Sequence, residues 1–355
     1  MVKALVVALA LVCASPAIEI RSGPMLGRDF DPRAFYVRGA AHEPWRKTYS
    51  GPEYLPEARG KLMNIRLPRA PFENDAIGAL DFYKSHGVLM INVSLQSADV
   101  SAFRPNGTLD EASLKGLDRL LNAANQRGMV VNLTYFHQDQ DEIFERPAII
   151  HAAARNTTDW LIEHRHANVL IDVADEFDLG GDRWDFRGYI PQNIIPLMDE
   201  VRERFRERNA PFIVPVSVST DRRMRYPAAV LGQVDAVLLH GNTRDSRFKA
   251  LRAAQLKDVR RPVLMTGDDN GRESTVSNLQ NELASCDVFF HQAAGWGYTP
   301  WVRTRRFPFE LLSTAVVKLQ DDMPETQRDV TYFHTVLDHI AALTLKAPPL
   351  EGKAN

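Results

Sequence analysis

Cysteine is nearly absent from this chain, and neither sign of charge dominates it. Cys13 and Cys286 are the only cysteines among 355 residues, which is too few for a disulfide framework or a cysteine-ligated metal cluster. The 43 Lys and Arg residues nearly balance the 45 Asp and Glu residues, for a net charge of −2. The basic excess of nucleic-acid-binding proteins is therefore missing, and we expect no nucleic-acid partner.

Long apolar runs are missing as well, except at the N-terminus. A single lysine there precedes an apolar run from Ala4 to Val12, and small residues follow as far as Ala17. This pattern predicts a secretory signal peptide over residues 1–17, too short to span a bilayer as a stable anchor. No later stretch is long and apolar enough for a membrane span. The sequence therefore predicts a secreted or periplasmic protein.

A glycine-rich phosphate-binding fingerprint is also absent after the first strand-like run, which disfavours a nucleotide-binding open sheet. Short apolar runs instead alternate with amphipathic helical stretches. The runs are 61–67, 88–95, 129–136, 168–174, 212–219, 235–241, 262–267 and 296–301, and the clearest helical stretches are 74–87, 109–128 and 192–209. Eight strands separated by helices predict parallel pairing and a (β/α)8 TIM barrel, class α/β. A doubly wound open sheet is the alternative.

The same alternation sets the predicted domain organisation. The barrel occupies residues 61–345 as a single domain. Residues 18–60 form an N-terminal extension packed on the barrel, and residues 346–355 form a C-terminal tail.

Chemically active side chains cluster where the strand-like runs end, which is where (β/α)8 barrels carry their functional groups. Two of the runs are followed directly by acids. The candidates lie at or just beyond the run ends: Arg66 at the first, Tyr135 and His137 at the third, Asp175 and Glu176 at the fourth, His240 and Asn242 at the sixth, Asp268 and Asp269 at the seventh, and Trp296 and Trp301 in the eighth.

Carboxylates, imidazoles and indoles at one rim suit sugar chemistry, because acids act on the glycosidic oxygen and indoles stack on pyranose rings. Each residue also has a structural alternative: a histidine at a strand end can simply donate a hydrogen bond, and the tryptophans can be packing residues. The acids of 172–185 do not have the spacing of a calcium loop. The first strand carries Asn64 and Arg66 rather than the histidine pair of metal-dependent hydrolase barrels. We therefore expect no metal and no cofactor.

Several segments resemble the clan of retaining (β/α)8 glycosidases that includes the glycoside hydrolase family 5 cellulases. They are "GKLMNIRLPRAPFE" (60–73), "NGTLDEASLKGLDRLLNAANQRGMVVNLTYFHQ" (106–138), "NVLIDVADEFD" (168–178) and "GWGYTPW" (295–301). The resemblance implies that Glu176 is the acid/base, that His137 is the active-site histidine and that an oligo- or polysaccharide is the partner. The order of these segments along residues 60–305 is more specific than any one of them.

Two positions depart from the family pattern. Asp175 stands where the family has an asparagine, and Gly267 stands at the position of the nucleophilic glutamate. Glycine cannot form a glycosyl-enzyme intermediate. If Gly267 leaves an open slot of carboxylate size, azide or formate should enter it and restore turnover.

A neighbouring acid can replace the missing one. Asp269 shares the strand face of Gly267, whereas Asp268 points the other way. Asp269 would lie at the larger separation from Glu176 that suits an inverting pair, with Glu176 as the acid. The alternative is a carbohydrate-binding barrel that has lost turnover. We expect Glu176, His137, His240, Asp269 and Trp301 to border one cleft.

An anionic sugar is one further expectation. Arg303, Arg305 and Arg306 follow the last strand-like run and favour a uronate. An ordinary surface cluster is an equal alternative.

Overall fold

Eight parallel strand positions with helices between them form a closed (β/α)8 barrel. The computed structural model describes residues 61–67, 74–97, 100–180, 183–212, 214–259, 261–268, 273–300 and 318–345. The predicted signal peptide, N-terminal extension and C-terminal tail lie outside these residues. Within the described part, no helix is both long and apolar enough to cross a bilayer.

The strands are close to the predicted runs. They are β1 (Met63–Arg66), β2 (Val88–Ser94), β3 (Gln96–Ser97), β4 (Val100–Ser101), β5 (Val130–Phe136), β6 (Val169–Ala174), β7 (Val216–Ser217), β8 (Ser219–Thr220), β9 (Val237–His240), β10 (Val263–Gly267) and β11 (Gly297–Tyr298). Strands β3 and β4 form a small antiparallel hairpin above the barrel.

The helices are α1 (Asn74–Ser85), α2 (Glu111–Gln126), α3 (Ala148–Glu163), α4 (Asp185–Gln192), α5 (Ile194–Glu207), α6 (Ala228–Leu231), α7 (Ser246–Gln255), α8 (Val276–Gln292) and α9 (Glu325–Thr344). Three of them begin at a side-chain cap that accepts a backbone N–H in the first turn. The caps are Asp110 to Ser113, Asp245 to Phe248 and Thr275 to Asn278.

The barrel is assembled from two sheets. Strands β11-β1-β2-β5-β6-β7 form a six-stranded sheet, and β10-β9-β8 form a three-stranded one. Strands β7 and β8 are one barrel strand interrupted at Val218, which joins the sheets on one side. On the other side, isolated parallel bridges Leu264 to Gly295 and Asp268 to Tyr298 connect β10 with β11. These two junctions close the ring and confirm the predicted fold.

The interior changes from apolar to polar towards the carboxyl ends of the strands. Because alternate residues of a strand share a face, Leu62, Asn64 and Arg66 lie at successive levels inside the barrel. Leu62 belongs to a separate apolar cluster that also contains Met90, Val130, Leu170, Leu238 and Leu264. Asn64 lies above it and accepts a hydrogen bond from Asn92 Nδ2 at 2.6 Å. Arg66 reaches the rim, where the candidate site lies.

Candidate functional site

A cluster of ionisable side chains lies at the carboxyl ends of four barrel strands. The structure brings together six of the residues predicted from the strand ends: Arg66, His137, Asp175, Glu176, His240 and Asn242. Strands β1, β5, β6 and β9 supply them, because parallel strands end at the same rim. These six side chains therefore lie together in the fold, and their roles remain predictions.

Arg66 and Asp175 form the central ion pair. Arg66 Nη2 donates to Asp175 Oδ1 at 2.8 Å, and 23% of the Arg66 side chain is exposed. Burial works to raise the pKa of Asp175, but the charge and the hydrogen bond of Arg66 outweigh it and hold that pKa well below its usual range. Asp175 is therefore a carboxylate at all working pH values.

His137 faces Asp175 from the other side. Its Nε2 lies 3.6 Å from Asp175 Oδ2, while its Nδ1 accepts the backbone N–H of Asp139 at 3.2 Å. An acceptor at Nδ1 places the single proton of the neutral ring on Nε2. Burial lowers the pKa of His137 despite the nearby Asp175. His137 is thus a neutral imidazole that points its N–H towards Asp175.

Glu176 is the most distinctive residue of the cluster. Its backbone adopts a left-handed conformation with φ of 48°, which costs free energy in a non-glycine residue and often marks a functional site. The backbone N–H of Glu176 donates to Ser219 Oγ at 3.1 Å. Its Oε1 accepts from Asn242 Nδ2 at 2.6 Å and contacts His240 Nδ1 at 3.2 Å. The side chain is 12% exposed, so it borders solvent while being held firmly.

His240 links Glu176 to the central ion pair. Its Nε2 lies 3.3 Å from Arg66 Nη2. Because a guanidinium can only donate, Nε2 accepts and the neutral ring carries its proton on Nδ1, towards Glu176. Burial alone would lower the pKa of His240, but the hydrogen bond with Glu176 and the charge of Asp175 raise it above its ordinary value.

The ring of His240 also occupies the space beside Gly267. A Cβ atom built on Gly267 would lie 2.8 Å from His240 Cδ2 and 3.0 Å from its Cγ. These distances are shorter than van der Waals contact, and His240 is only 2% exposed. The expectation of an open, carboxylate-sized slot at Gly267 is therefore wrong, because imidazole fills it.

Asp268 and Trp296 lie outside the cluster. Asp268 is fully buried and pairs with Lys249, whose Nζ is 2.6 Å from Asp268 Oδ1. Trp296 is also fully buried, and its indole N–H donates to Asp268 Oδ2 at 2.8 Å. The prediction that both residues belong to the site is wrong, because both side chains point away from the barrel interior into the helical layer. Asp268 cannot serve as the second carboxylate in this position, and Trp296 offers no face for a sugar.

Tyr135 was also predicted to belong to the site, and it too lies outside the cluster. It is fully buried, and its hydroxyl lies 3.4 Å from Thr158 Oγ1 on α3. Side chains alternate between the two faces of β5, and that of Tyr135 lies on the face towards the helices rather than the cleft. Asp269, Trp301, Arg303, Arg305 and Arg306 lie outside the described residues, so the predictions for them remain predictions.

Sequence reasoning missed Asp172, which lies one level below the cluster inside the barrel. Its carboxylate accepts hydrogen bonds from Ser219 N and Oγ, both at 2.8 Å, and from Thr134 Oγ1 at 3.1 Å. Burial, reinforced by the charge of Asp175, raises the pKa of Asp172 to about 7. The detectable signal was an acid inside the otherwise apolar run "VLIDVA".

Within the described residues, no group of three or more His, Cys, Asp or Glu side chains is arranged to hold a metal ion. No protein-family model and no curated protein sequence matches this chain.

Solved structures with a similar fold are glycoside hydrolases. The exo-β-1,4-mannosidase Op5Man5 from Opitutaceae bacterium strain TAV5 superposes with a TM-score of 0.54 at 14% identity, over 80% of this chain and 60% of that one. A GH113 β-1,4-mannanase gives 0.53 at 14% identity, over 80% and 98%. A GH30 endoxylanase from Clostridium papyrosolvens C71 gives 0.52 at 11% identity, over 81% and 72%. At these identities the likeness establishes the fold alone.

Proposed function

We propose that this protein cleaves O-glycosidic bonds in an oligo- or polysaccharide, with Glu176 as the general acid. The main observation in support is the way in which the Glu176 side chain is held. Its Oε1 is held by Asn242 and His240, whereas its Oε2 makes no hydrogen bond with any described residue. A proton on Oε2 can therefore pass to the oxygen of a leaving sugar. The glycoside hydrolases among the structural neighbours are consistent with this proposal.

The mechanism we propose is a single displacement with inversion. A water molecule attacks the anomeric carbon and loses its proton to Asp269, while Glu176 gives its proton to the departing oxygen. The double-displacement route through residue 267 is closed, since that residue has no side chain and the ring of His240 stands beside it. Asp269 lies two residues further along the chain, about 6–7 Å in an extended strand. This shift moves the second carboxylate towards the separation of roughly 6.5–9.5 Å typical of inverting pairs.

The two roles can be separated with aryl glycosides of different leaving groups. Glu176→Gln should strongly slow cleavage of glycosides whose leaving group needs protonation, and should largely spare a dinitrophenyl glycoside, which departs unprotonated. Asp269→Asn should slow both, because both need an activated water. NMR of the first product should detect the inverted anomer.

Asp268→Asn is the matched control for Asp269→Asn. It makes the same change one residue away at a side chain buried against Lys249, and its rate per folded molecule should stay near that of the parent. Retention of the anomeric configuration, or full activity of Asp269→Asn, would contradict the proposed mechanism.

A carbohydrate-binding barrel without turnover is the second candidate. The observation that favours it is the imidazole of His240 beside Gly267, which removes the position of one acid of a retaining pair. In that case oligosaccharides should bind without being cleaved, and Trp301→Ala should weaken binding. Failure to bind any glycan on a broad array would contradict both candidates.

We also propose that the protein acts after export, with residues 1–17 as the signal peptide. Its partners are then glycans outside the cytoplasm, with neither nucleic acid nor membrane lipid among them.

A further inference from the structure

Arginine side chains gather on the loop that follows β8 and on the loop and helix α7 that follow β9, beside the candidate site. We call this group the arginine shelf, and it consists of Arg222, Arg225, Arg244, Arg247 and Arg252. Three of them, Arg222, Arg225 and Arg247, are exposed, and the other two are half-buried. The net charge of the whole chain is −2, so this concentration of positive charge is local.

Contacts hold the shelf together although its charges repel. Arg244 and Arg252 both lie over the ring of Phe248, at 4.8 and 5.0 Å from its centroid. Arg244 Nε donates to the carbonyl oxygen of Arg222 at 3.2 Å, which ties the two loops to each other. Burial, followed by the charges of Arg225 and Arg244, lowers the pKa of Arg252. The guanidinium groups of Arg225, Arg244 and Arg252 are therefore close enough to interact.

Nearby acids do not neutralise the shelf. Asp221 is engaged by Arg223, which is not a shelf member, at 2.8 Å. Asp245 caps helix α7 through the N–H of Phe248. None of the five shelf arginines forms an ion pair in the described part of the chain. The Nε of Arg252 is, in addition, buried without a hydrogen-bond partner, an arrangement that is unfavourable for a charged donor. An anion would stabilise these five arginines, none of which is paired with an acid of the described residues.

The shelf is continuous with the candidate site. Asn242, which donates to Glu176 at 2.6 Å, is two residues before Arg244 on the same loop. Both loops also contain a non-glycine residue with positive φ, Thr243 at 59° and Met224 at 52°. Such strain persists where the surrounding structure enforces one loop shape. The loop that holds Glu176 through Asn242 thus also carries Arg244, which joins the shelf to the site.

We propose that the shelf binds the negatively charged sugars of an anionic polysaccharide whose backbone passes Glu176. This inference rests on the proposed function and adds the substrate class. Guanidinium groups suit it because their planar fork pairs with the two oxygens of a carboxylate or the oxygens of a sulfate. The shared chemistry is an anionic group on a sugar. Uronates and sulfated sugars are its two sources.

Binding of chemically matched oligosaccharides tests the proposal. Glu176→Gln protein, which should not cleave its ligand, is titrated with oligogalacturonate, its fully methyl-esterified form, a sulfated galactan oligosaccharide and neutral manno-oligosaccharide. We expect an acidic oligosaccharide to bind at least about tenfold more tightly than a neutral one, an advantage that falls as salt rises. The tighter of the two acidic ligands identifies the source of the charge.

Arg225→Gln/Arg244→Gln should reduce the ratio of neutral to acidic dissociation constants by about tenfold, since two charge-assisted contacts are lost. Arg165→Gln is the matched control, because Arg165 lies exposed on the loop before β6, at the opposite end of the barrel, and should leave the ratio unchanged. Equal binding of acidic and neutral oligosaccharides would overturn the proposal while leaving the proposed function intact. Single-stranded DNA that binds as tightly as the acidic oligosaccharide would overturn it too, because the shelf would then attract any polyanion. Absence of binding to every glycan would instead overturn the proposed function.

Discussion

His240 is the residue on which the geometry of the candidate site depends. It contacts Glu176 through Nδ1 and Arg66 through Nε2, and its ring lies against Gly267. The His240 ring can therefore occupy this position only if residue 267 has no side chain. This explains why no side chain is present at a position where the family resemblance implies an acid.

Gly267→Ala should therefore destabilise the protein by about 1–3 kcal/mol, as overpacking of a buried site does. The added methyl group meets the ring of His240, and the cost should shrink when His240→Ala is present as well. Urea unfolding of the four proteins in this double-mutant cycle measures the coupling.

Gly78→Ala is the matched control. Gly78 lies in helix α1, and a Cβ there would meet nothing within 4 Å, so the substitution should stabilise the protein by up to about 1 kcal/mol.

Azide or formate should not increase turnover of the parent protein, because the ring of His240 fills the space beside Gly267. Rescue by either anion, or a Gly267→Ala protein as stable as the parent, would contradict the placement of His240.

Asp172 gives the stability a pH dependence of unusual sign. Its pKa of about 7 in the folded protein exceeds the value of about 3.9 for an unfolded aspartate. The folded state therefore binds more protons between these pH values, and the free energy of unfolding falls as pH rises from about 4 to 7. The contribution is at most about 4 kcal/mol.

Asp172→Asn should flatten this fall, since the amide does not titrate. Urea unfolding of parent and variant at pH 4, 5.5 and 7 measures the difference. The low pKa of Asp175 affects stability only below this window. Parallel pH profiles for the two proteins would show that Asp172 does not carry the effect.

At the scale of elements, Lys249 ties helix α7 to the end of β10. Its Nζ is 2.6 Å from Asp268 Oδ1, and both side chains are fully buried. Lys249→Met would leave the Asp268 carboxylate buried without its cation, which costs about 3–5 kcal/mol.

The double variant Lys249→Met/Asp268→Asn should recover much of that loss, as chemical denaturation can establish. An exposed pair offers the control: Glu203→Gln removes the partner of Arg206 on helix α5 and should cost less than about 1 kcal/mol. If Lys249→Met were equally harmless, the buried pair would not be what holds α7 to β10.

The ends of the strands were predictable from sequence, but the directions of their side chains were only partly so. Arg66, His137, Glu176 and His240 lie at or just beyond the ends of apolar runs and meet at the rim. Tyr135 and Trp296 belong to similar runs but face the helices. Near the end of β10, the register shifts between Met265 and Gly267, so strand alternation cannot be counted through that point from sequence. The contact between the His240 ring and Gly267 is a tertiary one, and neither the β9 sequence nor the β10 sequence indicates it by itself.

At the scale of the whole molecule, the barrel explains why residues so distant in sequence meet. Arg66 and His240 are separated by 174 positions and become neighbours through ring closure alone. We expect the exported protein to begin at or near Ile18, which N-terminal sequencing can check. Soluble protein that retains Met1 would contradict the signal-peptide prediction.

The division of the barrel into two sheets has a consequence for its behaviour on heating. His240 and Gly267 belong to the three-stranded sheet, whereas Arg66 and Glu176 are carried by the six-stranded one. The contacts of His240 with Glu176 and Arg66 therefore cross from one sheet to the other, near junctions made of a broken strand and isolated bridges. A small separation of the sheets would break these contacts before any helix or strand melts. Against the effect of burial, the hydrogen bond with Glu176 raises the pKa of His240. NMR titration of its imidazole should accordingly show the pKa returning to its ordinary value several degrees below the temperature at which circular dichroism records unfolding.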